Sequence, residues 1–265
     1  RNGRIAYQEL SELNIKGGTV NLANGNLHIK RTDLSLKTLI GEFELGAVYN
    51  SANNRWLWDF DMKFQKKAFR DFTGAWHWHH KLKDGESIPG TSWIKHSDRA
   101  IRTKGGLVYE FKNTRLANIH WLNQPYPRVQ FFRNHDGSLR RIDDCKDDYW
   151  CRGLFFLEYT NDRVTKIKDV VGSRSHVFAY DAEGHLVKAH EAGFSYEYSK
   201  DSSGKEHLSA MTNFEGERIE YEFYPTTRQL KTLRQVGQSD DIEHQFAYSR
   251  VNNRFWFPKN PLLYE

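Results

Sequence analysis

The residues that come nearest to carrying chemistry are His77-Trp78-His79-His80. On a strand, successive side chains point to opposite faces, so His77 and His79 would share one face at a spacing that can hold a transition metal. A hydrolytic zinc site would still need a third protein ligand and a general base. The alternative reading makes Trp76, Trp78 and His80 the apolar face of a strand, with the other histidines partly exposed. On that reading no metal and no cofactor is expected.

Other chemistry is thinly represented. There is no Gly-x-Ser-x-Gly elbow for a serine nucleophile. Gly17-Gly18 and Gly105-Gly106 are isolated pairs, without the spacing of a phosphate loop or a dinucleotide fingerprint. The acid pairs Asp143-Asp144 and Asp147-Asp148 are neighbours in sequence. Adjacent strand residues point apart, so these are expected to be solvated and not to form a general acid–base couple. Cys145 and Cys151 enclose Lys-Asp-Asp-Tyr-Trp. Two cysteines are too few for zinc. One reading is a local disulfide across a turn, in an oxidising compartment; the other is two unpaired thiols in the cytosol. Eight tryptophans are many for one chain. Exposed indole faces bind sugars and quaternary amines, and the candidate platform is Trp56, Trp58, Trp76, Trp78 and Trp93, in the part of the chain without repeats.

The elements that would position these residues follow from an internal repeat. Val164, Leu186, Leu208 and Leu230 stand 22 residues apart, and three positions after each come Ile167, Ala189, Met211 and Leu233. Glycine follows at Gly172, Gly193, Gly216 and Gly237. Each block ends in an alternating aromatic run, such as Phe178-Ala-Tyr180 or Phe194-Ser-Tyr196-Glu-Tyr198. Leu116 with Ile119, and Leu139 with Ile142, are looser copies upstream, so six units run from about Leu107 to Tyr248. The aromatic half is a strand with one buried face, and Leu-x-x-Ile is a second, shorter strand. Asp181-Ala-Glu-Gly184 and Asp201-Ser-Ser-Gly204 are the tight turns between them. A hairpin cannot bury its face alone, so the units are expected to stack side by side.

The block Phe178-Ala-Tyr180-Asp181-Ala-Glu-Gly184-His-Leu186 resembles the Tyr-Asp-x-x-Gly-x-Leu signature of the Rhs, or YD-repeat, family, and Asp136-Gly137-Ser138-Leu139 resembles its shorter form. The other copies carry Tyr159-Thr160, Tyr198-Ser199, Tyr224-Pro225 and Tyr248-Ser249 in place of Tyr-Asp. Upstream, Gly18 to Leu36, then Tyr49-Asn50-Ser51 and Arg55-Trp56-Leu-Trp58-Asp59-Phe60, are similar to the segment that opens the core of Rhs proteins. The resemblance implies a spiral of antiparallel strands. In long members this spiral encloses a shell around toxic C-terminal domains, and animal relatives act in cell-surface adhesion. There is no Asp-Pro-x-Gly motif of the kind that ends a self-cleaving core, and Pro258-Lys-Asn-Pro261 is not one.

Composition agrees with a β protein: 38% of residues are hydrophobic but 14% are aromatic, so the core must lean on large flat rings. The net charge of +5 is spread among interleaved acids and bases, which argues against a nucleic-acid face. No stretch reaches the ~20 apolar residues of a membrane span. The expectation is an all-β chain of antiparallel hairpin repeats stacked into a curved or spiralling sheet. Residues 1–105 would form the opening β region, 106–250 the six repeats and 251–265 a tail. The expected role is non-enzymatic: a secreted or surface-associated structural module, of bacterial type, that binds a protein or cell-surface glycan or encloses toxin or effector cargo. It would engage no nucleic acid and insert in no membrane. The alternative is a carbohydrate-binding module or metal-dependent hydrolase built on the non-repeat half.

Overall fold

A computed structural model describes residues 12–237, 241–251 and 255–258. Most of the tail assigned to 251–265 therefore lies outside the described residues. Strands account for 61% and helix for 1%, so the chain is all-β. Strands β1 (Glu12–Ile15), β2 (Gly18–Asn21), β3 (Leu27–Thr38), β4 (Gly41–Asn50) and β5 (Arg55–Trp58) pair in chain order as one sheet. A single 3-10 turn, Asp59–Asp61, leads to three short antiparallel strands, β6 (Lys63–Phe64), β7 (Ala68–Arg70) and β8 (Trp76–Trp78). Next, β9 (Trp93–Ser97) and β10 (Ala100–Thr103) pair with each other and carry the chain into the repeats.

Six hairpins follow, as the repeat spacing predicts. They are β11 (Leu107–Lys112) with β12 (Arg115–Trp121), β13 (Gln124–Arg133) with β14 (Leu139–Cys145), and β15 (Cys151–Thr160) with β16 (Arg163–Asp169). Then come β17 (Arg174–Tyr180) with β18 (Leu186–Ala189), β19 (Phe194–Lys200) with β20 (Glu206–Thr212), and β21 (Arg218–Phe223) with β22 (Leu230–Val236), before β23 (Ile242–Gln245). Antiparallel pairing runs in chain order from β9 to β17 and again from β18 to β23. The turn between β17 and β18 is closed by Asp181 N donating to His185 O at 3.0 Å. The turn acids act as the sequence suggests. The Asp181 carboxylate accepts from the amides of Gly184 and His185, and that of Asp201 from Ser203 and Lys205. Gly184 (φ 93°) and Gly204 (φ 76°) take the left-handed conformation that a side chain would strain.

The Leu-x-x-Ile spacing has a structural reason that alternation alone does not provide. Residues three apart on a regular strand face opposite ways. Here both face inward: Leu116, Leu139, Val164, Leu186, Leu208 and Leu230 are at most 3% exposed, and Ile119, Ile142, Ile167, Ala189, Met211 and Leu233 at most 8%. A β-bulge recurs at the same place in the hairpins. Phe111 pairs with Leu116 but Glu110 with Asn118; Arg133 with Leu139 but Phe132 with Arg141. Likewise Tyr159 pairs with Val164 but Glu158 with Lys166, Tyr198 with Leu208 but Glu197 with Ala210, and Phe223 with Leu230 but Glu222 with Thr232. One extra residue on the second strand (Ala117, Arg140, Thr165, Ser209, Lys231) resets the alternation, so the leucine and its partner point the same way.

The chain forms two compact units, which cut across the linear division into 1–105 and 106–250. Among the described residues, one combines residues 12–31, 48–56 and those from 179 to 258. Its core holds Tyr49, Tyr196, Leu208, Tyr221 and Leu230. Three tyrosine hydroxyls find the partners that burial favours: Tyr49 donates to Asn54 Oδ1 (2.7 Å), Tyr198 to Leu186 O (3.1 Å) and Tyr221 to Gly17 O (2.7 Å). Gly17 has φ 104°, and a Cβ there would stand 2.8 Å from Ile219 Cδ1, so the close approach of the β1–β2 turn requires glycine. The other unit combines residues 32–47 and 57–178. In it Phe43 packs against Phe131 (6.2 Å) and Phe155 (6.3 Å), and Trp58 stacks on Phe60 (5.7 Å). Arg133 donates to the carbonyls of Phe60 (3.0 Å) and Leu116 (3.3 Å), and burial lowers its pKa to about 10.

Leu208→Ala and Leu186→Ala are each expected to lower stability by about 2–5 kcal/mol through cavity formation. Ser209→Ala, at a bulge position that is only half-buried, should stay within about 0.5 kcal/mol. Urea midpoints measure both; a leucine variant as stable as its parent would place the repeat's buried face wrongly.

Candidate functional site

The β7–β8 hairpin decides what the histidines do. Its turn is built by Asp71, whose Oδ1 accepts from Thr73 N (2.9 Å), Thr73 Oγ1 (2.7 Å) and Ala75 N (3.1 Å). The second oxygen of that buried carboxylate accepts from His77 Nε2 at 2.7 Å. A satisfied imidazole therefore takes the inner face, where it also lies 4.9 Å from the ring of Phe69. Trp76 and Trp78 are pushed outward, with Trp78 65% exposed. This reverses the expectation that Trp76, Trp78 and His80 form the apolar side with exposed histidines: His80 is also exposed, and His77 and His79 are the buried residues. The physical reason is that a carboxylate partner makes histidine burial inexpensive.

His79 stacks on Phe64 at 4.4 Å, and its Nε2 donates to Gln65 O at 3.0 Å. Burial, helped by the nearby Lys95 ammonium, holds its pKa below the usual histidine value. His77 and His79 do share a face, as alternation requires, but each has Nε2 committed to a protein acceptor. Among the described residues no three His, Cys, Asp or Glu side chains gather in the geometry of a metal site.

The five tryptophans do not gather as one platform. Trp58 and Trp93 are core residues, each 8% exposed. Trp58 meets the edge of Phe178 (5.0 Å), and Trp93 meets Phe69 (6.1 Å) and Tyr109 (5.0 Å). Trp56 sits between Tyr49 (5.6 Å) and Tyr196 (4.7 Å), donates to Tyr198 Oη (3.0 Å), and carries the Arg31 guanidinium 5.0 Å above its ring. Its faces are occupied. Only Trp76 and Trp78 offer open indole surface.

A different aromatic edge exists where the β12–β13 turn and the β14–β15 loop emerge together. Cys145 and Cys151 stand opposite each other across β14 and β15 and form the disulfide, with Cα atoms 4.0 Å apart. The bridge closes the loop Lys146 to Trp150, which is further held by Lys146 N donating to Trp150 O (3.0 Å). Asp147 caps it by accepting from Tyr149 N (2.9 Å) and Trp150 N (2.8 Å). So short and braced a loop cannot turn its rings inward: Tyr149 is 100% and Trp150 49% exposed. Asp148 bonds the Tyr126 hydroxyl and lies 3.7 Å from Arg128. Trp121, also exposed, donates its Nε1 to Ile40 O (3.1 Å) at the β3–β4 turn, where Leu39 is exposed.

The acids behind this edge are not solvated as expected. Asp143 and Asp144 are buried. Asp144 accepts from Leu39 N at 3.1 and 3.2 Å and from Arg152 at 3.0 Å. Asp143 pairs with Arg141 at 2.8 Å, and burial raises its pKa. Adjacent acids do point apart, but here the β3–β4 turn covers one and an arginine the other. The edge is thus an aromatic surface on a rigid frame with a charged rim, the make-up of a protein or glycan contact. The sequence signal for it is an adjacent Tyr-Trp pair inside a loop too short to reach a core. No protein-family description matches the chain, and no curated protein matches it.

Two outcomes are expected. Non-reducing mass spectrometry should find no free thiol at Cys145 or Cys151, and Cys145→Ser with Cys151→Ser should lower stability by roughly 2 kcal/mol, the loop-closure value for so short a ring. Because the folded pKa of His79 lies below its unfolded value, the parent should lose stability as pH falls from about 6.5 toward that lower value. His79→Gln should show a shallower loss between pH 7 and 5 in denaturant titrations.

Proposed function

We propose that this chain is a non-enzymatic β-hairpin repeat module of the Rhs, or YD-repeat, type. It is secreted or surface-associated and serves as a scaffold or shell segment that binds another macromolecule. The observation that carries this reading is the run of six consecutive hairpins, each with the same inward pair and, in the register of five, the same bulge. Such a sheet uses its large side chains for packing and leaves turns and edges free to vary, which suits a supporting or binding surface. The Cys145–Cys151 disulfide supports an oxidising compartment. The edge at Trp121, Tyr149 and Trp150 is the contact surface best suited to a protein or glycan partner, including a cargo domain.

A metal-dependent hydrolase on the non-repeat half is the second reading, and the engaged Nε2 atoms of His77 and His79 favour the binding module over it. Labelled protein titrated onto intact cells and an immobilised glycan panel should bind saturably. The double variant Tyr149→Ser, Trp150→Ser should weaken that binding by about ten-fold or more. A zinc-dependent hydrolytic activity abolished by His77→Ala with His79→Ala would replace the proposal with the enzyme reading.

A further inference from the structure

Four turns of the second unit line an open cleft of about 610 Å³, within the size range of small-molecule sites. Its walls are the β6–β7 turn (Gln65, Lys66, Lys67), the residues after β8 (His79, His80), the β9–β10 turn (Asp98, Arg99) and the β11–β12 turn (Asn113, Thr114). Backbone bonds hold these turns to one another. Phe64 N donates to Thr114 O (2.9 Å), Phe111 N to Arg99 O (2.8 Å) and His79 N to Lys67 O (3.0 Å). The cavity is therefore preformed. The buried rings of Phe64 and Phe111 give it an apolar floor.

Its charge is one-sided. Lys66, Lys67, Lys95 and Arg99 line it, against the single carboxylate of Asp98. Lys95 is itself buried, with Nζ donating to Leu82 O (3.0 Å) and lying 3.3 Å from Asp84 and 3.5 Å from Asp98, both exposed. Four cations against these two acids leave a local excess of two positive charges before the histidines are counted. Among the described residues, no ion pair engages Lys66, Lys67 or Arg99. Low-dielectric walls strengthen such a field toward an anion.

A second observation comes from His79, which is 2% exposed and lines the same cavity. A carbonyl only accepts, so the bond to Gln65 O places the ring proton on Nε2. Nδ1 is then an acceptor, and it is buried with no partner. With essentially no accessible surface, that nitrogen cannot be reached from the open space, so His79 contributes a ring wall there and no hydrogen bond.

We infer that this cavity binds a small oxyanion, a molecule whose phosphate or carboxylate groups are met by the lysines and Arg99. The site is separate from the aromatic edge, so its absence would leave the hairpin-module reading intact. The test is isothermal titration of the intact chain at low ionic strength with three probes. Citrate carries three carboxylates and a hydroxyl, tricarballylate is the same acid without the hydroxyl, and inorganic phosphate represents the other anion class. Citrate or phosphate should bind saturably, with the tighter of the two naming the oxyanion, and added sodium chloride should weaken binding. The exposed-residue variants Lys67→Glu and Arg99→Glu should each weaken it about ten-fold or more, while Lys205→Glu, on the β19–β20 turn, leaves it unchanged. Circular dichroism matching the parent confirms that the variants are folded. Absence of saturable binding by both citrate and phosphate up to about 10 mM, or equal affinity in parent and charge-reversed variants, overturns the site. Tricarballylate should bind about as tightly as citrate, because the contacts are to the carboxylates.

Discussion

A leucine and the apolar residue three positions after it must both face the core, and a regular strand forbids this. The recurring bulge resolves the conflict, and the hairpin stack depends on it. Without the extra residue at Ser209, for example, Leu208 and Met211 would lie on opposite faces, and one would be solvent-exposed. Because the bulged strand also bends and twists more strongly, one device sets both the inward packing and the curvature of each hairpin. An aromatic residue pairs with the leucine at the bulge in several hairpins, as Tyr198 does with Leu208 and Phe223 with Leu230.

Polar burial follows the same economy. A sheet protein with few aliphatic residues packs tyrosine, tryptophan, histidine and arginine, and each brings a group that must be partnered. Tyr49, Tyr198 and Tyr221 place their hydroxyls on neighbouring backbone or amide acceptors, and burial raises the pKa of all three. Arg133 uses two carbonyls, and His77 uses a carboxylate from its own hairpin turn. The partnering is not complete: His79 Nδ1, Arg133 Nε, both ring nitrogens of His176 and the Tyr248 hydroxyl are among the buried atoms without a hydrogen-bond partner.

The two surfaces singled out by the structure are rigid for different reasons. The loop after β14 is held by a covalent bridge and by the Asp147 cap, so Tyr149 and Trp150 are presented with little freedom left to lose on binding. The cationic cavity is held by backbone bonds among four turns from distant parts of the sequence. In both, the side chains proposed for binding stand on turns or loops while the strands supply the frame.

The repeat was legible from residue order, because hairpin formation is local: a 22-residue spacing, turn acids with glycine, and alternating aromatics suffice to define six units and their inward positions. The Cys145–Cys151 pairing was legible as one of two readings for the same reason, since residues six apart around a turn come together in a hairpin whose register sets them opposite. What lay beyond the sequence depends on partners far along the chain. Trp58 and Trp93 are core residues because Phe178, Phe69 and Tyr109 cover them. Asp144 is buried because the β3–β4 turn brings the Leu39 amide to it across 105 positions. The face taken by the Trp-His-Trp segment turned on whether Asp71 could satisfy an imidazole inside, which alternation does not encode. Periodicity states which residues share a face; only the tertiary structure, by supplying a hydrogen-bond partner or a covering ring, decides which face is buried.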